Sequence, residues 1–503
     1  MEKETLQAQL SFLFFSFAVL FSLLACLVAL IHMSKWWRWQ WCCSCSICEA
    51  YVTASWVSEH RNLSDWYTHL LRSSPTGTIH IHVLRNTITA NPANVEYMLK
   101  TNFNNYPKGK PFSAILGDFL GQGIFNVDGD HWMFQRKLAA AEMASPVFRA
   151  FAMKIVSSEV IERLLPLLHS AATEKQQLDL QDVFRRFAFD CICKISFGMD
   201  PGCLDLSMPM PEFVAAFDRA SMLSAQRAAA PAPVVWRLKR LFNVGEEKEL
   251  RDAIRMIDLL AEAVIRQRRK LGVSSSNDLL SRFMASIDND RYLRDIIVSF
   301  MLAGRDTISS ALTGFFLLLL HNPHVKSSIR HEIDAAFSSA KNGNASLDRI
   351  REMHYVHAAL YESMRLLPPV QFDSKFCNGD DTLPDGANVT KGTRVTYHAY
   401  AMGRMEDVWG PDCNEFRPER WLNNGRFVPV SPFKYPVFQG GIRVCVGKEM
   451  ALMEMKTVIV TILRSFDFES ERETSGSPKF APGLTATFAG GLPVRVHKRD
   501  HVK

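Results

Sequence analysis

Residues 438–447 read Phe438-Gln439-Gly440-Gly441-Ile442-Arg443-Val444-Cys445-Val446-Gly447, followed by Lys448, Glu449 and a helix-forming run from Met450 through Leu463. A cysteine set between glycines just ahead of a helix holds its sulfur near exposed backbone N–H groups, and these favour the thiolate. Gly441 and Gly447 give the chain freedom to fold tightly around that sulfur. Taken alone, such a cysteine is ordinarily a buried, inert thiol. Its neighbourhood, and three other stretches, give it a different meaning.

Glu362-Ser363-Met364-Arg365 places opposite charges three apart on one helix face, and Phe416-Arg417-Pro418-Glu419-Arg420 supplies an arginine-rich turn further on. Ala303-Gly304-Arg305-Asp306-Thr307 lies within the long apolar run from Ile296 to Leu320. Gly304 lowers helix propensity there and would clear space beside a bound group. The Thr307 hydroxyl can bond back to a carbonyl and loosen the helix locally. Trp132-Met133-Phe134-Gln135-Arg136 sets an indole and a guanidinium one turn apart. Each stretch by itself is commonplace, a surface ion pair or an amphipathic turn.

Together, and in this order, they resemble the cytochrome P450 superfamily, whose haem loop follows Phe-x-x-Gly-x-Arg-x-Cys-x-Gly; every fixed position is present. The resemblance covers residues from about 74 to 503 and implies a mainly α fold with small β sheets. It implies haem b with Cys445 as the iron ligand, Phe438 as an aromatic shield and Arg443 facing a propionate. Trp132 and Arg136 would stand at the haem edge, with Lys375 a weaker member of the set. Ala303 and Gly304 would lie over the distal face, and Asp306 with Thr307 would deliver protons. Glu362, Arg365 and Arg420 would form a buried network that holds a core loop and takes no part in oxygen chemistry. A thiolate ligand donates electron density to iron and favours O–O cleavage. The implied activity is therefore a monooxygenase that uses O2 and NADPH electrons, delivered by a separate NADPH-cytochrome reductase. About 58 residues follow Cys445, too few for a fused flavin domain.

Residues 89–112, TANPANVEYMLKTNFNNYPKGKPF, and 362–376, ESMRLLPPVQFDSKF, look like the plant branch that oxidises the terminal carbon of fatty acids and of jasmonoyl-amino acids. The chain departs from that branch at Ala399, where proline is usual, at Gly440, where alanine is usual, and at Ala489, where a basic residue is often found. The substrate implied is jasmonoyl-isoleucine, hydroxylated at its terminal (omega, 12-) carbon, with oxidation onward to the carboxylate within the branch's chemistry. Free medium- or long-chain fatty acids are the alternative. Phe112, Leu116, Phe119, Leu120, Leu302, Val370, Phe372 and Phe488 would build an apolar tunnel for such an amphiphilic small molecule. A terminal methyl is harder to oxidise than the next methylene, so the tunnel must admit only the chain end.

Composition agrees with this reading. The 503 residues are 47% hydrophobic and 22% charged, which excludes a long disordered chain. A net charge of +6 without an extended basic and aromatic tract argues against nucleic-acid binding. Eleven cysteines are too sparse for a disulfide scaffold and fit a reducing compartment. Cys42, Cys43, Cys45 and Cys48 are the exception, a tract open to acylation, oxidation or metal binding but without distant ligands of matching spacing. His80 and His82 on an alternating TIHIH stretch could likewise mark a metal, although paired histidines on a strand are ordinarily surface residues.

Residues 10–31 form an uncharged apolar run of 22, about 33 Å of helix, enough to span a bilayer core of roughly 30 Å. Lys35, Trp36, Trp37, Arg38, Trp39 and Trp41 follow as interfacial anchors, and the basic pair beyond the span puts the long C-terminal part in the cytosol. The expectation is a single-pass protein of the endoplasmic reticulum membrane, in contact with membrane lipid. Its organisation would be an anchor at 10–31, a juxtamembrane linker at 32–73 and a catalytic body at 74–503. Strands are expected at 78–82 and 86–90, and Asn91 should cap a helix opening at Pro92. A flexible apolar loop is expected at 112–123, helices at 145–169, 180–198 and 246–270, and short sheet segments after about 370.

Overall fold

The computed structural model describes residues 45–272, 277–338, 347–470 and 478–499, with isolated positions between 17 and 28. From Gly109 to Leu366 the described chain is mostly helical, with one strand at Gln177–Asp179, and the other strands come from its start and its last third. At the centre of the body, helix Leu180–Phe197 buries nearly every residue, including Phe184, Phe187 and Phe189. Its charged residues are paired, Arg185 with Asp218, Arg186 with Asp182 and Lys194 with Glu159, which lets the helix lie inside the core. The Asp179 carboxylate caps its start by accepting from the Gln181 amide, and Gly198 ends it in the left-handed region.

Against this helix packs a second continuous one, formed by Asp290–Met301, a wide turn over Leu302–Asp306 and Thr307–His321. Arg305 and Asp306 sit in the wide turn, and their pairing lets two charges stay inside an otherwise apolar core. Helices His354–Leu366 and Lys448–Ser465 complete the layer, so the residues after Gly447 lead straight into the core.

The main sheet has four strands, in the order Thr78–Ile81, Asn86–Thr89, Arg394–Tyr397 and Asp373–Phe376. The first two pair antiparallel with Thr78 opposite Thr89, and Asn86–Thr89 runs parallel to Arg394–Tyr397. This sheet closes a second, smaller core around Ile81, Ile88, Met98, Leu99, Val395 and Tyr397. Asn91 accepts from the Ala93 amide and caps the helix that opens at Pro92, as the sequence indicates.

Two expectations are corrected. Residues 112–123, read as a loop, belong mostly to helix Gly109–Leu120. Leu116, Phe119 and Leu120 bury one face, Phe119 edge-on to Phe217, and this outweighs the roughly 1 kcal/mol that Gly117 costs a helix. The folded body also begins before residue 74. Helix Leu63–Ser73 buries Trp66, Tyr67 and Leu71 in the smaller core, and Ser46–Thr53 precedes it with Cys48 fully buried.

Among the described residues no helix is long and apolar enough to cross a membrane. Most of the expected span at 10–31 lies outside the described residues. Those of it that are described, Phe17, Val19, Leu20, Phe21, Ser22, Leu24, Ala25 and Val28, are helical and exposed.

Candidate active site around Cys445

Behind the cysteine loop stands a charge network centred on the fully buried Glu362 and Arg365. Arg365 grips Glu362 with two bonds of 2.7 Å, and Glu362 also accepts from the Trp421 indole at 2.8 Å, the Arg417 amide at 3.1 Å and Arg420 Nε at 3.3 Å. Arg365 donates onward to the carbonyls of Gly403, Cys413 and Glu415, and Arg420 to those of Trp409 and Asp412. A buried carboxylate with this many donors fixes the backbone between 403 and 421 in place. Tyr435 carries the constraint to the cysteine loop, since its hydroxyl donates to the Tyr361 carbonyl and its ring stacks on Tyr361.

The loop itself is closed by the Cys445 amide donating to the Phe438 carbonyl at 2.8 Å. Gly441 has φ +60°, and a Cβ there would lie 2.0 Å from the Leu99 carbonyl oxygen, so only glycine fits. A Cβ at Gly440 would meet the Phe433 ring at 2.9 Å, a local reason for glycine where alanine is usual. Cys445 is exposed on one side, although protein surrounds its sulfur on most others. Burial pushes its thiol pKa up, while the Gly447 amide and the charges of Arg136 and Lys448 pull toward the thiolate.

Cations gather around this sulfur. The Arg443 guanidinium lies 4.5 Å over the Trp132 ring and donates to Asp128 at 2.6 Å, and its Nε is buried without a partner. Half-buried Arg136 is held below its ordinary pKa by burial, and the nearby Cys445 opposes that shift. Lys375 is fully buried and bonded to Asp373 at 2.7 Å; burial brings its pKa down to about 7, with Asp373 opposing. Arg443, Arg136 and Trp132 thus fit the carboxylates of a haem lying on Cys445, whereas Lys375 already spends its charge on Asp373.

Facing the loop is a cavity with mainly apolar walls. Phe112, Leu116, Leu120, Leu302, Val370 and Phe372 line it, together with Ala303, Thr307 and Gln439. A cytochrome P450 profile matches residues 53–488. The chain belongs to the cytochrome P450 family. It is 59% identical over 464 residues to cytochrome P450 94C1 of Arabidopsis thaliana, covering 91% of this chain and 94% of that protein. It is 48% identical over 459 residues to cytochrome P450 94B3 of the same plant, covering 88% of this chain and 89% of the relative. To cytochrome P450 94A1 of Vicia sativa it is 44% identical over 466 residues, with 89% and 90% covered. Membership makes this P450 a monooxygenase and implies haem and O2 at the site just described.

Within this P450, the residues named from sequence do not all reach the cavity. Phe119 is sealed in the core against Phe217, and Phe488 is buried against Phe480, so neither lines it. A Cβ at Gly304 would strike Ile192 Cδ1 at 2.3 Å, so this glycine lets helix Leu180–Phe197 approach rather than clearing room over the cavity. Asp306 turns away from the cavity, into a separate crevice where Arg305 bridges it to Asp218. Burial raises its carboxyl pKa, with Arg305 opposing. Thr307 faces the cavity, and its hydroxyl donates to the Ala303 carbonyl.

Several lining residues escaped the sequence reading, among them the charged Lys108, Asp373 and Arg394. Arg394, at the start of its strand, donates to Ser374 Oγ and to the Ala228 carbonyl, both at 2.9 Å. Among the described residues it forms no ion pair with a carboxylate, and burial lowers its pKa. The signal was a lone arginine opening the otherwise uncharged run Val395-Thr396-Tyr397.

Proposed function

We propose that this P450 hydroxylates the terminal, 12-carbon of jasmonoyl-isoleucine, with O2 and with NADPH electrons delivered by a membrane NADPH-cytochrome reductase. The observation that carries it is the cavity: apolar walls that meet Ala303 and Thr307, with a half-buried guanidinium at Arg394 that makes no direct ion pair among the described residues. Such a space suits an amphiphile with one carboxylate and an oxidisable apolar end. The choice of the conjugate over a free fatty acid rests on the resemblance of residues 89–112 and 362–376 to the jasmonoyl-oxidising branch.

When bound, haem would supply oxygen activation, with Cys445 as its thiolate ligand and Arg443, Arg136 and Trp132 holding its carboxylates. The protein's own part is steric and protonic. Phe112, Leu116 and Leu302 narrow the space so that a chain end enters first. Arg394 fixes the opposite, charged end of the substrate. Asp306 gathers protons from its crevice, and Thr307, next in sequence, passes them into the cavity through its hydroxyl.

The same reading places the protein on a membrane. Helix Pro233–Phe242 exposes Val234, Val235, Leu238, Leu241 and Phe242, and the Tyr51 hydroxyl donates to the Ala229 carbonyl four residues before it. A lipid-facing helix and an N-terminal span at 10–31 would then share one side of the body, on the cytosolic face of the endoplasmic reticulum.

The test is competition. The purified protein, its reductase and NADPH are given jasmonoyl-isoleucine and a medium-chain fatty acid in equal amounts, and products are identified by mass spectrometry. Preferential 12-hydroxy or 12-carboxy conjugate is expected. Rapid omega-hydroxylation of the fatty acid with the conjugate untouched would overturn the proposal in favour of fatty-acid oxidation.

A further inference from the structure

Two features that sequence spacing could not connect meet in space. Cys45 caps helix Ser46–Thr53 and Cys48 lies in its first turn, while His82 follows the edge strand Thr78–Ile81 of the main sheet. Cys48 Sγ stands 3.9 Å from His82 Nδ1, and one ligand atom from each of Cys45, Cys48 and His82 lies within 4.8 Å of the others.

We propose that Cys45, Cys48 and His82 bind a zinc ion, with water in the fourth position. Zn–S bonds of about 2.3 Å and Zn–N bonds of about 2.0 to 2.1 Å, at tetrahedral angles, put ligand atoms roughly 3.6 to 3.8 Å apart. The observed 3.9 Å between sulfur and nitrogen is close to that spacing, and the other separations lie within 4.8 Å, so closing on an ion takes side-chain movement of up to about 1 Å. Two thiolates and an imidazole select zinc over magnesium or calcium, which take oxygen ligands.

The surroundings support a built site. Cys48 is fully buried, Cys45 half-buried and His82 exposed, so the ion would enter from the solvent side and be anchored from within. His80 lies edge-on to His82 with ring centroids 4.5 Å apart, and its own Nδ1 is tied to Thr87 Oγ1 at 2.9 Å. That arrangement holds the His82 ring in place, as residues around metal ligands commonly do. The bound ion would staple the first helix of the body to its main sheet. It would fix the point where the N-terminal segment joins the fold.

The experiment uses the full chain, purified without a histidine tag, incubated with zinc and dialysed free of excess. Zinc and haem iron are then measured together by plasma mass spectrometry. About one zinc per haem is expected in the wild type, falling to near zero in Cys48→Ser and in His82→Ala. An unchanged carbon-monoxide spectrum shows that the variants are folded, and His82, being exposed, is the safer of the two positions. Zinc retained at wild-type level in His82→Ala, or found in neither protein, overturns the site. So does a wild type in which Cys45 and Cys48 are isolated as a disulfide or as acylated thiols.

Discussion

The Thr307 hydroxyl donates to the Ala303 carbonyl at 2.6 Å, across the wide turn that Leu302–Asp306 inserts in the long helix. The bond draws off a carbonyl where the regular ladder is already broken, and it holds the hydroxyl at the cavity wall. The preceding carboxylate, Asp306, points into a different crevice. Acid and hydroxyl therefore face different spaces from adjacent positions of one helix, and the proposed relay has to pass between them. Thr307→Ala should keep haem and its carbon-monoxide spectrum but divert NADPH consumption into peroxide, read as a severalfold fall in product per NADPH. Asp306→Asn should instead slow turnover by about tenfold or more, in line with the loss of a proton-transfer group. Full coupling in the first variant, or an unchanged rate in the second, would contradict the relay.

Cys445→Ala removes the one thiol that the loop encloses. Reduced protein exposed to carbon monoxide should lose the absorption band of a thiolate-ligated haem, and turnover should vanish. A retained band would mean that another residue holds the iron.

Arg394 tests the orientation of the substrate. Arg394→Gln should raise KM for a carboxylate substrate by roughly 10 to 100-fold, the worth of a charged hydrogen bond of about 1.5 to 3 kcal/mol, and alter kcat less. The methyl ester of the same substrate should be far less sensitive. Equal losses on acid and ester would show that the guanidinium acts only through its bonds to Ser374 and Ala228.

His398 makes stability depend on pH. It is fully buried, its Nδ1 accepts from the Ala401 amide, and burial, with Arg404 adding repulsion, brings its pKa down to about 3. The unfolded chain, near 6.5, binds a proton that the folded one refuses, so the contribution is complete above about pH 6.5 and is lost toward pH 3. Thermal unfolding of the wild type should weaken by up to about 1.4 kcal/mol per pH unit from this group as pH falls below 6.5. His398→Asn, which can keep the cap, should flatten that limb. Parallel curves would assign the acid sensitivity elsewhere.

Local patterns were legible where local physics decides the structure. The glycines around Cys445, the cap at Asn91-Pro92 and the alternation at 78–82 each follow from backbone freedom, capping or pleat. The pair Glu362 and Arg365 could be named from spacing, yet only folding shows that both are fully buried and bound to Arg420 and Trp421. Residues 112–123 looked like a loop because glycine weakens a helix in isolation, while contact with Phe217 reverses that balance.

The sequence by itself therefore determined the family and singled out the cysteine and the cations proposed to meet a haem, since these reside in short motifs whose members are neighbours along the chain. Tertiary structure alone decided which apolar residues line the cavity, which way Asp306 turns, that Arg394 enters the site and that Cys48 meets His82. Those relations join elements far apart in the chain. They are set by how helices and strands pack, and no local period records that.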